Sequence, residues 1–193
     1  MALVEKKSDR RVQRTRELLL DALFELIVER GYERLTIQNL LDRAGVGRAT
    51  FYAHFESKDE LLASSIARLR ASLMQEWQQR TPGERLGFTL PFFRHLAGHR
   101  RIYQMTVVGE HEVSVVRHIQ AMLRELVRED LLRQRPLRRG SHSVDLATHY
   151  VVGALWSTIV WWMDAGAKLP PEDINALFQR LAFPGLELSL REN

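Results

Sequence analysis

A chain of 193 residues with 45% apolar side chains can hold one large domain or two smaller ones, and has ample material for a real core. It contains no cysteine, which excludes disulfides, thiolate metal sites and cysteine nucleophiles together. A net charge of +4 is too small for a polycation, so the place of the positive charge matters more than its sum.

That place is the beginning. Lys6, Lys7, Arg10, Arg11, Arg14 and Arg16 crowd the first sixteen residues against only Glu5 and Asp9. Such a start is not the apolar stretch of a signal peptide. Met1–Asp9 reads either as a solvated, partly disordered tail or as a contacting arm. From Arg11 to Arg30, Leu18, Leu19, Ala22, Leu23, Leu26 and Ile27 recur at helical spacing, and Gly31 ends the helix.

The next segment, TIQNLLDRAGVGRATFYAHFESKDEL over Thr36–Leu61, is the richest in signals. Thr36 is a good N-cap, since its hydroxyl can accept from an orphan amide of the first turn. Ile37, Leu40, Leu41 and Ala44 follow at helical spacing, and Gly45 closes the helix at a position where positive φ carries no Cβ penalty. After Val46 and Gly47 a second helix is expected over Arg48–Phe55, with Val46, Phe51 and Phe55 on its inner face. Two short helices meeting steeply at a glycine turn form a helix-turn-helix.

The outer face of that second helix points to DNA chemistry. Arg48 and Tyr52 are four residues apart with Ala49 between them, so they share a face. Arginine can pair bidentately with guanine O6 and N7, tyrosine offers a ring for a thymine methyl and a hydroxyl for phosphate, and a small Ala49 permits close approach to the groove. Thr50 and His54 flank this face as hydrogen-bond donors; His54 reads equally as a structural histidine packed at the helix end. Ser57-Lys58-Asp59-Glu60 is a capping box, placing Lys58 beside free amides at a positive helix terminus suited to phosphate. Arg10–Arg16, including Arg11 and Arg14, precede this unit and are expected along the phosphate backbone or in the adjacent minor groove.

The N-capping Thr36, the Ala44-Gly45-Val46 turn, the Thr50-x-Tyr52-x-His54-Phe55 helix and the Ser57-Lys58-x-x-Leu61 helix start together resemble the DNA-binding motif of TetR-type transcriptional regulators. The resemblance implies base-edge contacts from Arg48, Ala49 and Tyr52, and phosphate contacts from Thr36, His54 and Lys58. It also implies pairing of two chains through their last two long helices, and a ligand pocket in the body.

Downstream, Ser57–Gln79 is expected as a long linking helix ended by Thr81-Pro82-Gly83. Further helices are expected near Glu84–Leu96 with a bend at Pro91, over Arg101–Val108 and over Glu112–Arg133. Arg135–Ser143 reads as a loop, and its basic stretch from Arg133 to Arg139 as solvated or facing an acidic partner. Two last helices are expected over Val144–Ala165 and Glu172–Ala182. No alternating strand pattern occurs, so the class is all-α, with a basic arm and helix-turn-helix domain over 1–56 and a helical body over 57–193, of which 57–79 is the linking helix.

Val144–Ala165 is apolar around most of its circumference, which fits either a buried core helix or a helix shared between two copies. Leu155, Ile159 and Trp162, with Leu177, Phe178 and Leu181 of the last helix, are the candidate homodimer contacts. Its apolar run, Val151–Met163, is broken by Gly153, Ser157 and Thr158 and too short to cross a bilayer, so a cytoplasmic protein is expected. Phe88, Phe92, Tyr103, Met122 and Trp156 lie where the family places its pocket, and are either pocket walls for an apolar or aromatic effector or plain core. His95, His99, His111 and His118 lack metal-ligand spacing, and no phosphate loop or catalytic constellation stands out; neither metal, cofactor nor enzyme activity is expected. The leading expectation is a dimeric repressor on a palindromic double-stranded operator; the alternative is a DNA-bound adaptor or co-regulator that recruits a protein without an effector.

Overall fold

A computed structural model describes the backbone of residues 2–79, 85–107, 113–134 and 142–191, and the side chains of 11–79, 85–106, 113–133 and 144–184. The expected breaks at Thr81–Gly83 and 135–141, His111, and the side chains of Lys6, Lys7 and Arg10 lie outside the described residues. The described chain is helical without a strand: α1 (Ala2–Arg30), α2 (Ile37–Ala44), α3 (Arg48–Tyr52), α4 (Lys58–Gln78), α5 (Thr89–Gly98), α6 (Arg100–Val107), α7 (Val113–Gln134), α8 (His142–Asp164) and α9 (Pro171–Arg191).

Local chemistry accounts for most boundaries. Thr36 and Asn39 form a reciprocal cap, Thr36 Oγ1 accepting from the Asn39 amide at 3.2 Å and Asn39 Oδ1 from the Thr36 amide at 3.1 Å. Gly45 closes α2 at φ 63° and returns its amide to Leu41. Five expectations need adjusting; the last helix, α9, runs on past Ala182 through Pro184 to Arg191. α1 starts at Ala2 rather than Arg11, since neither glycine nor proline interrupts its first turns. α3 stops at Tyr52, where the His54 amide turns back to Phe51 O at 2.9 Å and tightens the exit. α5 starts only at Thr89, because Leu86 takes a left-handed φ of 47° and gives its amide to Asp130 Oδ2 at 3.1 Å, while Gly87 makes room for the Trp77 indole, a Cβ there lying 2.3 Å from Trp77 Nε1. Pro91 then falls in the first turn of α5, where its missing N–H costs nothing, and no bend is required.

The reader, α1–α3, and the body are joined at several levels. Arg43 forks onto Glu29 at 2.6 and 2.7 Å and reaches Glu25 at 2.8 Å, fastening α2 to α1 and holding its own guanidinium above the ordinary arginine value. Glu33, in the turn after α1, accepts from the Ser114 amide in the first turn of α7 at 3.1 Å. One core runs through both parts, from Leu23, Tyr32 and Phe51 to Phe93, Leu126 and Trp162. Thr89 and Asn175, both buried, tie α5 to α9 through a 2.6 Å hydrogen bond.

This packing corrects two sets of expectations. Phe88, Phe92 and Met122 are closed into the core, with Trp77 meeting Phe88 edge-on and Trp156 packing against the cluster half-buried. Of the five candidate pocket residues Tyr103 alone lines the cleft described below. Leu155 and Ile159 are 0% exposed and Trp162 and Phe178 nearly so, because α6, α7 and α9 pack on that side of α8 within one chain and Phe93 of α5 meets the Trp162 ring. They are core, not interface. The side of α8 left uncovered carries Leu146 (72% exposed), Tyr150 (53%), Gly153, Ser157 and Trp161 (58%), while α9 exposes Leu177 and Leu181 (78%).

Candidate nucleic-acid interface

The exposed surface of α3 is small, polar and held from behind. Phe51 is fully buried, meets the Tyr52 ring edge-on at 5.4 Å and packs on Phe55 at 6.1 Å, so the inner face of a five-residue helix is anchored by aromatic contact rather than by length. Arg48, Ala49, Thr50 and Tyr52 are then left facing outward. Arg11, Val12 and Thr15 of α1 meet Ala49, Thr50, Ala53 and His54 across an open groove, which brings the basic start beside the candidate recognition helix. His54 lines this groove, and its ring lies 6.4 Å from that of Phe55. Arg14 is exposed on the same helix, whereas Arg16 is turned over the Phe55 ring at 5.3 Å.

Arg48 is not loose. Its Nη2 donates to Gln38 Oε1 at 3.0 Å, and Gln38 Nε2 donates to Asp42 Oδ1 at 2.8 Å, so α2 orients the guanidinium through an amide relay. Sequence reading missed Gln38; its only local sign was the four-residue spacing of Gln38 and Asp42 on the outer face of α2. Thr36 spends an acceptor lone pair on its cap and keeps its hydroxyl proton for an outside partner.

Lys58 is a correction. Its ammonium donates to Leu35 O at 2.9 Å, Tyr32 O at 3.0 Å and Glu33 O at 3.4 Å, and lies 4.5 Å from the Tyr32 ring centre. All three protons of a lysine are thereby occupied. The turn after α1 ends in carbonyls aimed at this position, and they outcompete solvent for the charge. Beside it the Tyr32 hydroxyl bonds Asp59, and Ser57 Oγ accepts from the Glu60 amide at 3.1 Å. Lys58 thus holds the reader to α4, and the first turn of α4 carries Asp59 and Glu60 rather than a free cation.

A glycine-turned helix pair with an exposed second helix and a basic flanking helix defines the helix-turn-helix class of DNA-binding regulators. Residues 19–64 match the family model for bacterial regulatory proteins of the tetR family, and residues 85–183, half of the chain, match one for a transcriptional regulator C-terminal region. The chain belongs to the tetR family, DNA-binding transcriptional regulators and not enzymes. It is 41% identical over 71 residues to the uncharacterized HTH-type transcriptional regulator YxbF of Bacillus subtilis (strain 168), covering 36% of this chain and 19% of that protein. It is 24% identical over 148 residues to the class D tetracycline repressor protein of Escherichia coli, covering 72% and 64% respectively. The match thus spans less than two thirds of either relative's length. A TetR regulator from Streptococcus agalactiae 2603V has the same fold, with a TM-score of 0.68 at 22% identity over 94% of this chain and 99% of that one.

Proposed function

We propose that this regulator is a sequence-specific dimeric repressor of a palindromic operator, released when a small apolar or aromatic ligand enters its body. The observation that carries the reading is the Arg48–Ala49–Tyr52 face of α3, with Arg48 pre-oriented by Gln38 and a basic groove wall at Arg11. Arg48 would read guanine bidentately, Tyr52 and Ala49 the neighbouring base edge, and Thr36, Thr50, His54, Arg11 and Arg14 the phosphates. Repression, rather than activation, is supported by the repressor named among the relatives.

Dimerisation is supported by the apolar stripe of α8, where Leu146, Tyr150, Gly153, Ser157 and Trp161 follow one another at three- and four-residue steps beside Leu177 and Leu181 of α9. Two such pairs form a four-helix contact across a two-fold axis and set two α3 helices about 34–36 Å apart for successive major grooves. The same stripe would serve an adaptor that recruits a different protein. Selection of bound sequences from a random DNA pool separates the two. A palindrome with half-sites about one turn apart is expected; enrichment of a single half-site by a monomeric protein favours the adaptor, and no enrichment overturns the reading.

A further inference from the structure

Reader and body meet around a half-open cleft of about 490 Å³, within the range of sites for drug-sized molecules. Leu20 and Phe24 of α1, Ile66 and Leu69 of α4 and Ile102 of α6 supply apolar lining. A polar wall is formed by His95 and Tyr103, whose Nε2 and Oη lie 3.0 Å apart, with His99 stacked on His95 at 4.3 Å. Burial, and next the neighbouring His99, push His95 down to about 4, so the His95–Tyr103 pair is neutral at pH 7 and offers hydrogen bonds without charge.

The charge lies on α1. Glu17, Asp21, Glu25 and Glu29 recur every four residues and share one face. Arg43 compensates Glu25 and Glu29. Glu17 accepts only the Gln13 amide at 2.9 Å, and Asp21 has no hydrogen bond or ion pair among the described residues. Both line the cleft, and against these two carboxylates its lining holds a single guanidinium, Arg68.

We infer that this cleft binds a drug-sized aromatic cation, its positive group between Glu17 and Asp21, its ring against Phe24 and Ile102, and a neutral polar edge on the His95–Tyr103 pair. The inference rests on the regulator reading above and gives its effector a place and a chemistry. It moves the effector from the family-placed aromatics Phe88, Phe92, Met122 and Trp156 to the seam between α1, α4 and α6. An occupant there lies against α1 of the reader and α4 at once.

The full-length chain, without DNA, is titrated with rhodamine 123, a xanthene cation, and with fluorescein, a xanthene anion of similar size, by fluorescence anisotropy. Saturable binding of one rhodamine per chain is expected, with fluorescein far weaker. Asp21→Asn removes an exposed, unpaired charge and should weaken rhodamine about three- to tenfold. Ser72→Trp, at an exposed lining position, should block it while thermal unfolding stays at the parent temperature. Fluorescein binding as tightly as rhodamine, no rhodamine site, or a rhodamine affinity indifferent to both variants overturns the assignment. Binding of dye-free protein to its selected DNA is measured in parallel. Intact DNA binding with no rhodamine site removes only the cleft assignment, whereas loss of sequence-specific DNA binding removes the regulator reading itself.

Discussion

Removing the Gln38 side chain tests whether base reading depends on more than the residue that touches the base. In the free protein Arg48 is held by a 3.0 Å hydrogen bond to Gln38, itself held at 2.8 Å by Asp42. A bidentate arginine–guanine pair is worth about 1–3 kcal/mol of discrimination, and Gln38→Ala leaves that pair possible. What is lost is orientation: the freed guanidinium must be ordered on binding, at about 0.5–1.5 kcal/mol for one long side chain. Gln38→Ala should therefore lower discrimination at one position of each half-site about three- to tenfold, less than Arg48→Ala, with affinity for random DNA unchanged. Gln38→Glu serves as a control, since it keeps an acceptor for Arg48 but sets a second carboxylate one turn from Asp42 and near phosphate, and should weaken all sequences alike. Competition binding with half-sites mutated base by base measures each effect. If Arg48→Ala loses discrimination while Gln38→Ala loses none, the relay is only a contact of the free protein and the orientation argument fails.

Other perturbations separate roles that a sequence alone runs together. Trp161→Glu, on the uncovered side of α8, should leave a folded chain that is monomeric by light scattering, whereas Leu155→Lys buries an unpaired charge at a fully enclosed site and should fail to fold at all; a folded, dimeric Trp161→Glu would exclude that face. Lys58→Ala leaves three carbonyls without their donor and should cost about 1–3 kcal/mol in denaturant unfolding with little change in the salt slope of DNA binding, while Arg11→Ala should reduce that slope by about one phosphate. A full unit lost from the slope in Lys58→Ala would restore a phosphate role to that lysine. His95 has a folded value of about 4, below its unfolded value of about 6.5, so its neutral burial contributes fully above pH 6.5 and is lost as the pH falls toward 4. Discounted for partial exposure, this amounts to roughly 1–2 kcal/mol. His95→Gln should flatten the stability curve between those pH values, and an unchanged curve would show that the imidazole titrates normally.

How far the sequence could be read follows from the range of each signal. Thr36, Gly45 and Ser57 act within one turn of themselves, so the cap of α2, its left-handed exit and the start of α4 were legible in the residue string. Pro91 shows the limit of that locality: its effect depends on where α5 begins, which follows the left-handed turn at Leu86, whose amide is held by Asp130 arriving from α7. Lys58 had the right neighbours in sequence for an anion site, but its charge is claimed by carbonyls more than twenty residues upstream. Gln38 and Arg48 belong to different helices and become partners only once the turn at Gly45 is closed. On α8 the difficulty is of another kind. A helix apolar on nearly every side carries no direction in its pattern, so Leu155 and Trp161 were indistinguishable as core and surface until α6, α7 and α9 had taken their places. The candidate pocket failed for the same reason, Phe88 and Phe92 being apolar and correctly placed along the chain but facing their own neighbours.

The clasp at the start of α4 bears on operator architecture. Lys58 holds the carbonyls after α1, and Asp59 holds the Tyr32 hydroxyl, so the helix-turn-helix has no free joint where it meets the body. Reorienting it requires α4 to turn with it. A helix of 21 residues is about 31 Å long, and a tilt of about 5° moves its end by nearly 3 Å. A single base pair inserted between half-sites separates them by about 3.4 Å and also rotates one around the duplex by about a tenth of a turn. Tilt can absorb the first change but not the second. Operators for this protein should therefore be strict in their central spacing, with a mutated spacer costing more than a mutated base.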